Sequence, residues 1–364
     1  MKKVIKKVVS EKQLHLIINK KNNVSNSLSI IMSKVMSKTR FTSSIYYLFS
    51  GEFSREHQSV LYGKLKYLQD IKNRKSNRYL LRRNIHRIEK GLLMKPMRDI
   101  FALKYIEETL ITYRILSNDF NNGEKSLLNE LKWANDVLTK YFEVTAKHPL
   151  IVYMKEIFQN IDHTHSFINL QSEKYIPYAR DFKNKPEISY DNLLHLVRFR
   201  RSVRWFEQTE VSRELIDRAI EIGNYSPSAC NRQPYTFRIF DKGSLVSILS
   251  QLPMGTSGYW ENIPTMVAIV GDLSAYPNER DRHLIYIDSS LAAMSFILGL
   301  ETQGLSSCII NWPDIESREK EISKFLNLNK NERVIMLIAI GYPDIEGKVA
   351  YSKKKDLEEI RVYN

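Results

Sequence analysis

The amino-acid sequence predicts an α+β fold preceded by an all-helical module. Apolar residues recur at helical spacing through the first half of the chain, and strand-type runs appear mainly after about residue 185. Helices do not alternate regularly with these strands, which favours a mixed sheet flanked by helices over a doubly wound sheet. We therefore divide the 364 residues into a basic N-terminal arm (1–50), a helical module (51–185) and a sheet domain (186–364).

The arm is the most basic part of the chain. It carries ten Lys and Arg residues against the single acid Glu11, which accounts for nine of the fourteen net positive charges. Leu14, Ile17 and Ile31 are interspersed among the lysines, so two interpretations stay open: a solvated arm, or a segment that contacts an anionic membrane. Nucleic acid is not expected as a partner, because no recognised binding motif accompanies the charge.

Cysteine usage and hydropathy indicate a cytoplasmic protein, with the arm at the inner membrane surface under the second interpretation. The chain has no uninterrupted apolar run of about 18 residues and no secretory signal pattern at its N-terminus. Its two cysteines, Cys230 and Cys308, form neither a disulfide framework nor a zinc set, and we expect both to be packing residues. The stretch from Asp162 to His165 lacks further ligands at helical spacing, so no metal site is predicted.

In the helical module, two apolar series have helical spacing, and Asn121-Asn122-Gly123 is a break between helices. The series are Leu61, Leu65, Leu68, Ile71 and Leu103, Ile106, Leu110, Tyr113, Leu116. A polar stretch from Arg180 to Pro186 is the predicted linker.

In the sheet domain, a helix from about Tyr190 to Arg200 is followed by one from the N-cap Ser212 to Gly223. A long amphipathic helix from Leu284 to Leu300 contains small residues that allow close packing on both sides. The predicted strands are Tyr235 to Phe240, Thr265 to Val270, Ser307 to Ile310 and Val334 to Ile340.

Two motifs carry the chemistry. Arg200, Arg201 and Arg204 surround the Ser202 hydroxyl, and arginine binds a phosphate group with paired, charge-assisted hydrogen bonds. On charge alone, a solvated helix end is the alternative. The turn from Ser226 to Pro234 supplies hydroxyls and amides, which suit the alternating donors and acceptors of a flavin and its ribityl chain.

These motifs, with Gly341-Tyr342-Pro343 and the basic run Lys353-Lys354-Lys355 beyond it, resemble the nitroreductase family of FMN-dependent oxidoreductases. The resemblance covers about residues 189–364 and implies a nitroreductase-like fold. It also implies a homodimer with FMN at the interface, in which Pro227 and Ser228 touch the flavin of the partner subunit.

The resemblance further implies a role for each matching residue. Arg200, Arg201, Ser202 and Arg204 would hold the phosphate and ribityl end of FMN, Asn231 would meet the ring or ribityl oxygens, and two of the three lysines, such as Lys353 and Lys355, would bind phosphate. A backbone N–H of Asn311 or Trp312 would donate to the hydride-accepting nitrogen of the flavin. Many relatives have Gly in this segment, so the identity of the donor stays open.

The expected activity is an FMN-dependent transfer of hydride or electrons from NAD(P)H to a small-molecule acceptor by a ping-pong cycle. Because the cofactor carries the redox chemistry, no side chain is predicted to be catalytic. No Gly-x-Gly-x-x-Gly turn is present, so NAD(P)H would be a transient donor. Two alternatives stay open: an assembly or membrane-docking protein with structural or vestigial FMN, or another family reaction such as dehalogenation.

Overall fold

The computed structural model describes residues 26–161 and 174–364 of the chain. Half of the predicted basic arm, residues 1–25, and the Asp162 to His165 stretch lie outside the described residues. The chain divides into two compact units, Met1–Gln58 and Ser59–Asn364. In the first unit, helix α1 covers residues 26–36 and α2 covers Arg40–Ser50. A capping box formed by Thr39 begins α2, and Gly51, with a φ of 72°, ends it.

The described part of the helical module contains five α-helices. They are α3 (Ser54–Lys72), α4 (Arg78–Leu92), α5 (Ile106–Asn121), α6 (Leu128–Val144) and α7 (Pro149–Gln159). Most of the second predicted apolar series is buried in the core of this module, which α4, α5, α6 and α7 share. The first series is helical but exposed, because α3 buries Ser59, Gly63 and Tyr67 instead. The domain boundary near residue 185 stays a prediction, since Ser59–Asn364 forms one compact unit.

The sheet domain contains all four predicted strands. Its elements are α8 (Tyr190–Phe199), α9 (Arg213–Asn224), β1 (Tyr235–Phe240), α10 (Gly243–Gln251), β2 (Thr265–Asp272), α11 (Leu284–Glu301), β3 (Ser306–Asn311), α12 (Glu316–Leu326), β4 (Glu332–Gly341) and α13 (Leu357–Ile360).

The strands form an antiparallel sheet in the order β1-β2-β4-β3, which confirms the α+β fold. Alternate residues of β2 belong to different cores: Val267 and Ile269 pack with α9 and α11, whereas Met266 and Ala268 pack with α10 and α12. The sheet is therefore covered on both faces, which explains why β2 is apolar along its length. A parallel bridge between Ser202 and Ser307 extends the pairing along β3.

Helices α9 and α11 approach each other closely because small residues line their contact. A Cβ atom on Gly299 would lie 3.2 Å from Cα of Ala219, and one on Gly223 would lie 3.1 Å from the Ala292 carbonyl oxygen. This confirms the close packing predicted for α11. Among the described helices, the stretch Glu279–Glu301 is long and apolar enough to cross a membrane, and half of its most apolar window is buried within the fold.

Candidate flavin site

The arginine motif lies along the outer edge of β3. Helix α8 ends at Phe199, and Arg200 leaves the helix with a ψ of 119°. The chain then runs beside β3, where the Val203 N–H donates to the Ser307 carbonyl at 3.1 Å. This backbone contact fixes the position of the three arginines relative to the sheet.

The C-terminal motif lies beside the same segment. The Glu207 N–H donates to the Tyr342 carbonyl at 2.9 Å, and the Arg201 guanidinium donates to the carbonyl oxygens of Ala350, at 2.6 Å, and Tyr351. Arg201 therefore anchors the backbone just before the three exposed lysines. The structure thus brings the first and third sequence motifs together.

Three polar atoms near this edge are buried without hydrogen-bond partners in the described part of the chain: Nε of Arg200, Oγ of Ser307 and Oε1 of Glu301. Burial raises the pKa of the nearby Glu301 carboxyl, and the charge of Arg200 lowers it in part. A buried polar group without a partner costs about 1–3 kcal/mol. The Ser307 hydroxyl and the Arg200 guanidinium, which makes no ion pair with any described residue, fit an anionic ligand such as the FMN phosphate.

The other cations of the motif are more exposed. The Arg204 guanidinium donates to the Ser202 carbonyl at 3.3 Å and lies 5.9 Å from the centre of the Tyr259 ring. Nζ of Lys353 lies 2.7 Å from Oδ1 of Asp356, whereas Lys355 is exposed and makes no ion pair with a described residue. Arg204 and Lys355 are accordingly better placed than Arg201 and Lys353 to receive a ligand.

The segment expected to face the flavin ring follows the end of β3. Asn311 is exposed at the last position of the strand. The Trp312 side chain is buried, and its indole N–H donates to Oε1 of Glu319 at 2.6 Å. Only the backbone of Trp312 is therefore available to a ligand. The loop around Gly255 packs against the same strand, with a Cβ position 3.5 Å from Ile310.

The turn from Ser226 to Pro234 has an unusual backbone. Cys230, Asn231 and Gln233 have φ values of 54°, 51° and 51°. Asn tolerates this left-handed region, but for Cys and Gln it costs on the order of 1 kcal/mol each. Inside the turn, the Ser228 hydroxyl accepts from the Gln233 N–H at 3.2 Å. Pro227 is exposed, and the Asn231 side-chain amide has no hydrogen bond to a described residue.

Residues outside the predicted motifs support this turn. Arg82 on α4 donates from Nε to the Asn231 carbonyl at 2.7 Å and from Nη2 to Oε1 of Gln233 at 2.6 Å. Asp288 on α11 accepts from the Ala229 N–H at 3.0 Å and from the Tyr276 hydroxyl at 3.4 Å. Neither residue belongs to a motif predicted from the sequence.

Asp288 is 3% exposed. Burial raises the pKa of its carboxyl above the ordinary value of 3.8, although both hydrogen bonds and the charge of Arg232 act in the opposite direction. Arg232 is also buried, and its guanidinium lies 4.9 Å from the centre of the Tyr276 ring. Arg82 on α4 and Asp288 on α11 therefore hold the strained turn from two sides.

The two motifs thus have different neighbours. The arginine motif contacts β3 and the C-terminal segment, and the Ser226 to Pro234 turn contacts α4 and α11. Between them they provide cations, hydroxyls and an amide, a donor set that suits a phosphorylated cofactor with a polar tail.

Comparison with known proteins finds relatives of this domain. The model of the nitroreductase family matches residues 197–252 and 241–342. The C-terminal half of the chain therefore contains a region similar to the nitroreductase family.

The relatives include iodotyrosine deiodinase 1 of Sus scrofa, 24% identical over 195 residues that cover 46% of this chain and 66% of the deiodinase. Iodotyrosine deiodinase of Hydra vulgaris is 22% identical over 52% of this chain and 80% of its own length. Among solved structures, an FMN-dependent nitroreductase from Clostridium difficile R20291 is 24% identical, with a TM-score of 0.41 over 47% of this chain and 99% of its own.

Proposed function

We propose that the protein is an FMN-dependent oxidoreductase that passes hydride or electrons from NAD(P)H to a small-molecule acceptor. One observation carries this proposal: Arg201 holds the segment before Lys353 against the arginine motif, in which Nε of Arg200 is buried without a partner. The match to the family model adds support, because members of that family are typically FMN-dependent.

The predicted site residues would contact different parts of FMN. Arg200, Arg204 and two of the three lysines would hold the phosphate by charge-assisted hydrogen bonds, and Ser202 would contact the ribityl end. Asn231 would use its unpaired amide, and the backbone N–H of Asn311 or Trp312 would donate to the ring. When bound, FMN supplies the hydride and electron transfer. The cations would also stabilise negative charge on the ligand.

A homodimer would complete the site. Within one chain the two motifs have different neighbours, and the exposed Pro227 and the half-buried Ser228 have a surface available to a second subunit. Each arginine motif would then meet the Ser226 to Pro234 turn of the partner. Donor and acceptor would use the same slot in turn, which is the ping-pong cycle, and no protein side chain is required as an acid or base. Cytoplasmic location and contact of the arm with anionic lipid stay predictions.

The first experiment is an absorbance spectrum of the purified protein, followed by anaerobic addition of NADH or NADPH. We expect flavin bands that bleach. Bands that persist would favour the alternative in which FMN is structural. Colourless protein that stays apo in excess FMN, although folded and dimeric, would refute the proposal.

The second experiment tests the binding residues. Arg200→Ala with Arg204→Ala removes two contacts worth about 1.5 kcal/mol or more each, so we expect FMN to bind about 100-fold more weakly. The control, Lys183→Ala with Lys185→Ala, removes the same charge from the exposed linker. Equal loss of affinity in both double variants would mean that net charge, not these arginines, holds FMN.

A reductive dehalogenation is the second candidate reaction, because several relatives are named iodotyrosine deiodinases. The two candidate reactions can be distinguished with prereduced protein. Reoxidation by a nitroaromatic compound would support a nitroreductase activity, and iodide release from an iodinated tyrosine would support a deiodinase activity.

A further inference from the structure

A basic cleft lies in the helical module, at the C-terminal end of α4. Its volume is about 740 Å³, within the range of small-molecule sites. The cleft is lined by the end of α4 and by the loop that leads to α5. None of the flavin-site residues described above lines it.

The cleft is lined by five cations and, among the described residues, by no acid. They are Arg87, Lys90, Lys95, Arg98 and Lys104. Arg87 lies 3.7 Å from the centre of the Tyr105 ring and donates to Oδ1 of Asn84 at 3.4 Å. The other four side chains make no ion pair or hydrogen bond with any described residue. Because like charges in one cleft repel each other, the arrangement is more favourable when an anion is bound.

The residues at the base of the cleft are held in place by packing and hydrogen bonds. A Cβ atom on Gly91 would lie 2.2 Å from the Phe101 ring, so the ring packs directly on the helix backbone. The Phe101 ring also packs edge-on against Tyr141, with centroids 5.1 Å apart, and the Tyr141 hydroxyl donates to the Phe101 carbonyl at 2.9 Å. The Asp99 carbonyl accepts from the Ala146 N–H at 2.8 Å. The loop that carries three of the cations is therefore anchored at two points.

Neighbouring groups do not neutralise the cations. At the end of α4, the Leu93 N–H donates to the Glu89 carbonyl at 3.0 Å. This carbonyl therefore has a backbone partner and does not need a lysine side chain as a donor. The Glu89 carboxylate accepts from the Trp133 indole at 3.0 Å and lies 3.4 Å from Nδ1 of His86. Asp99 and Glu107, nearby in sequence, are exposed and do not line the cleft. Glu108 does not line it either, and its carboxylate accepts from the Asn84 side-chain amide at 2.8 Å.

We infer that this cleft binds a small molecule with two or more phosphate groups, at a site separate from the flavin site. A single carboxylate would neutralise one of the five cations, whereas a diphosphate carries about three negative charges on closely spaced oxygens that Lys and Arg can share. The apolar surface of Met94, Phe101 and Leu103 at the same cleft accommodates the organic part of such a molecule.

Isothermal titration calorimetry of the full-length protein, saturated with FMN, tests this inference. The probes are pyrophosphate and ADP, which separate a pure phosphate site from one that also contacts an organic group. The test variant is Lys90→Gln with Arg98→Gln, and the control is Lys183→Gln with Lys185→Gln, which removes the same charge from the linker. A far-UV circular dichroism spectrum establishes that each variant is folded.

We expect at least one probe to bind with a stoichiometry of one per chain and without displacing FMN. The test variant should weaken binding about tenfold or more, and the control should change it less than about twofold. Absence of binding of both probes at millimolar concentration, or equal weakening in both variants, would overturn the inference. Either result is independent of flavin chemistry, because the readout is heat of binding rather than turnover.

Discussion

Arg82→Ala tests whether the helical module stabilises the flavin turn. The substitution removes the hydrogen bonds from Arg82 to the Asn231 carbonyl and to the Gln233 side chain. A hydrogen bond to a charged group contributes about 1.5–3 kcal/mol, and the side chain is only 16% exposed, so little solvent screening reduces this value. The ion pair between Arg82 and Glu130, at 3.5 Å, is also lost, but Glu130 keeps Arg78 as a partner at 2.8 Å. We expect the free energy of unfolding to fall by about 3 kcal/mol.

The assay is urea denaturation followed by circular dichroism, together with FMN titration monitored by flavin fluorescence. Because the strained turn loses its support, we expect FMN to bind about tenfold more weakly. Arg82→Lys should be intermediate, since an ammonium group lacks the fork that reaches both acceptors. The control is Arg114→Ala, an exposed arginine on α5. A free energy of unfolding for Arg82→Ala within about 0.5 kcal/mol of that of the control would refute the reasoning.

Two further predictions concern the core around the site. Asp288→Asn should alter the pH dependence of stability. Because the pKa of Asp288 is raised in the native state, this state binds more protons than the unfolded state above pH 3.8. The stability of the wild-type protein therefore falls as the pH rises through the native pKa. The variant should therefore gain stability relative to wild type as the pH rises above 3.8 in thermal unfolding; parallel curves would contradict this. Gly341→Ala would place a Cβ atom 2.8 Å from both Phe206 and Pro264. We expect the substitution to lower the free energy of unfolding by about 1–3 kcal/mol. An unchanged Tm would show that the neighbouring side chains move to accommodate the Cβ atom.

The sequence was sufficient to predict the four strands and the helices α8, α9 and α11 of the sheet domain because their signals are local, whereas α10, α12 and α13 were not predicted. Strand β2 is buried along its length, and its continuous apolar run indicates that both faces of the sheet are covered. Ser212 and Gly223 marked the ends of α9 to within one residue. The apolar series of α3 shows the limit of such patterns: helical spacing predicted the helix, but Leu61 is 65% exposed, because periodicity does not say what a face packs against.

The contacts that shape the candidate site are not local, and this is why the sequence did not predict them. Arg82 and Asn231 are 149 residues apart, and nothing in the helical pattern of α4 distinguishes Arg82 from a solvated arginine. Arg201 matches the phosphate-binding motif, yet it donates to backbone carbonyls 149 and 150 residues away. Motif matching predicts which residues gather near a ligand, whereas the division of roles among them depends on long-range geometry.

The backbone of the Ser226 to Pro234 turn explains why contacts from outside the motif are needed. Left-handed conformations at Cys230 and Gln233 would relax in an isolated loop, since neither side chain favours them. The turn keeps its shape because Arg82 holds its carbonyl and amide oxygens while Asp288 holds the Ala229 N–H. The first support comes from the helical module and the second from the core helix α11. Changes in the module can therefore reach the candidate flavin site through one side chain, without any direct contact between the module and the ligand.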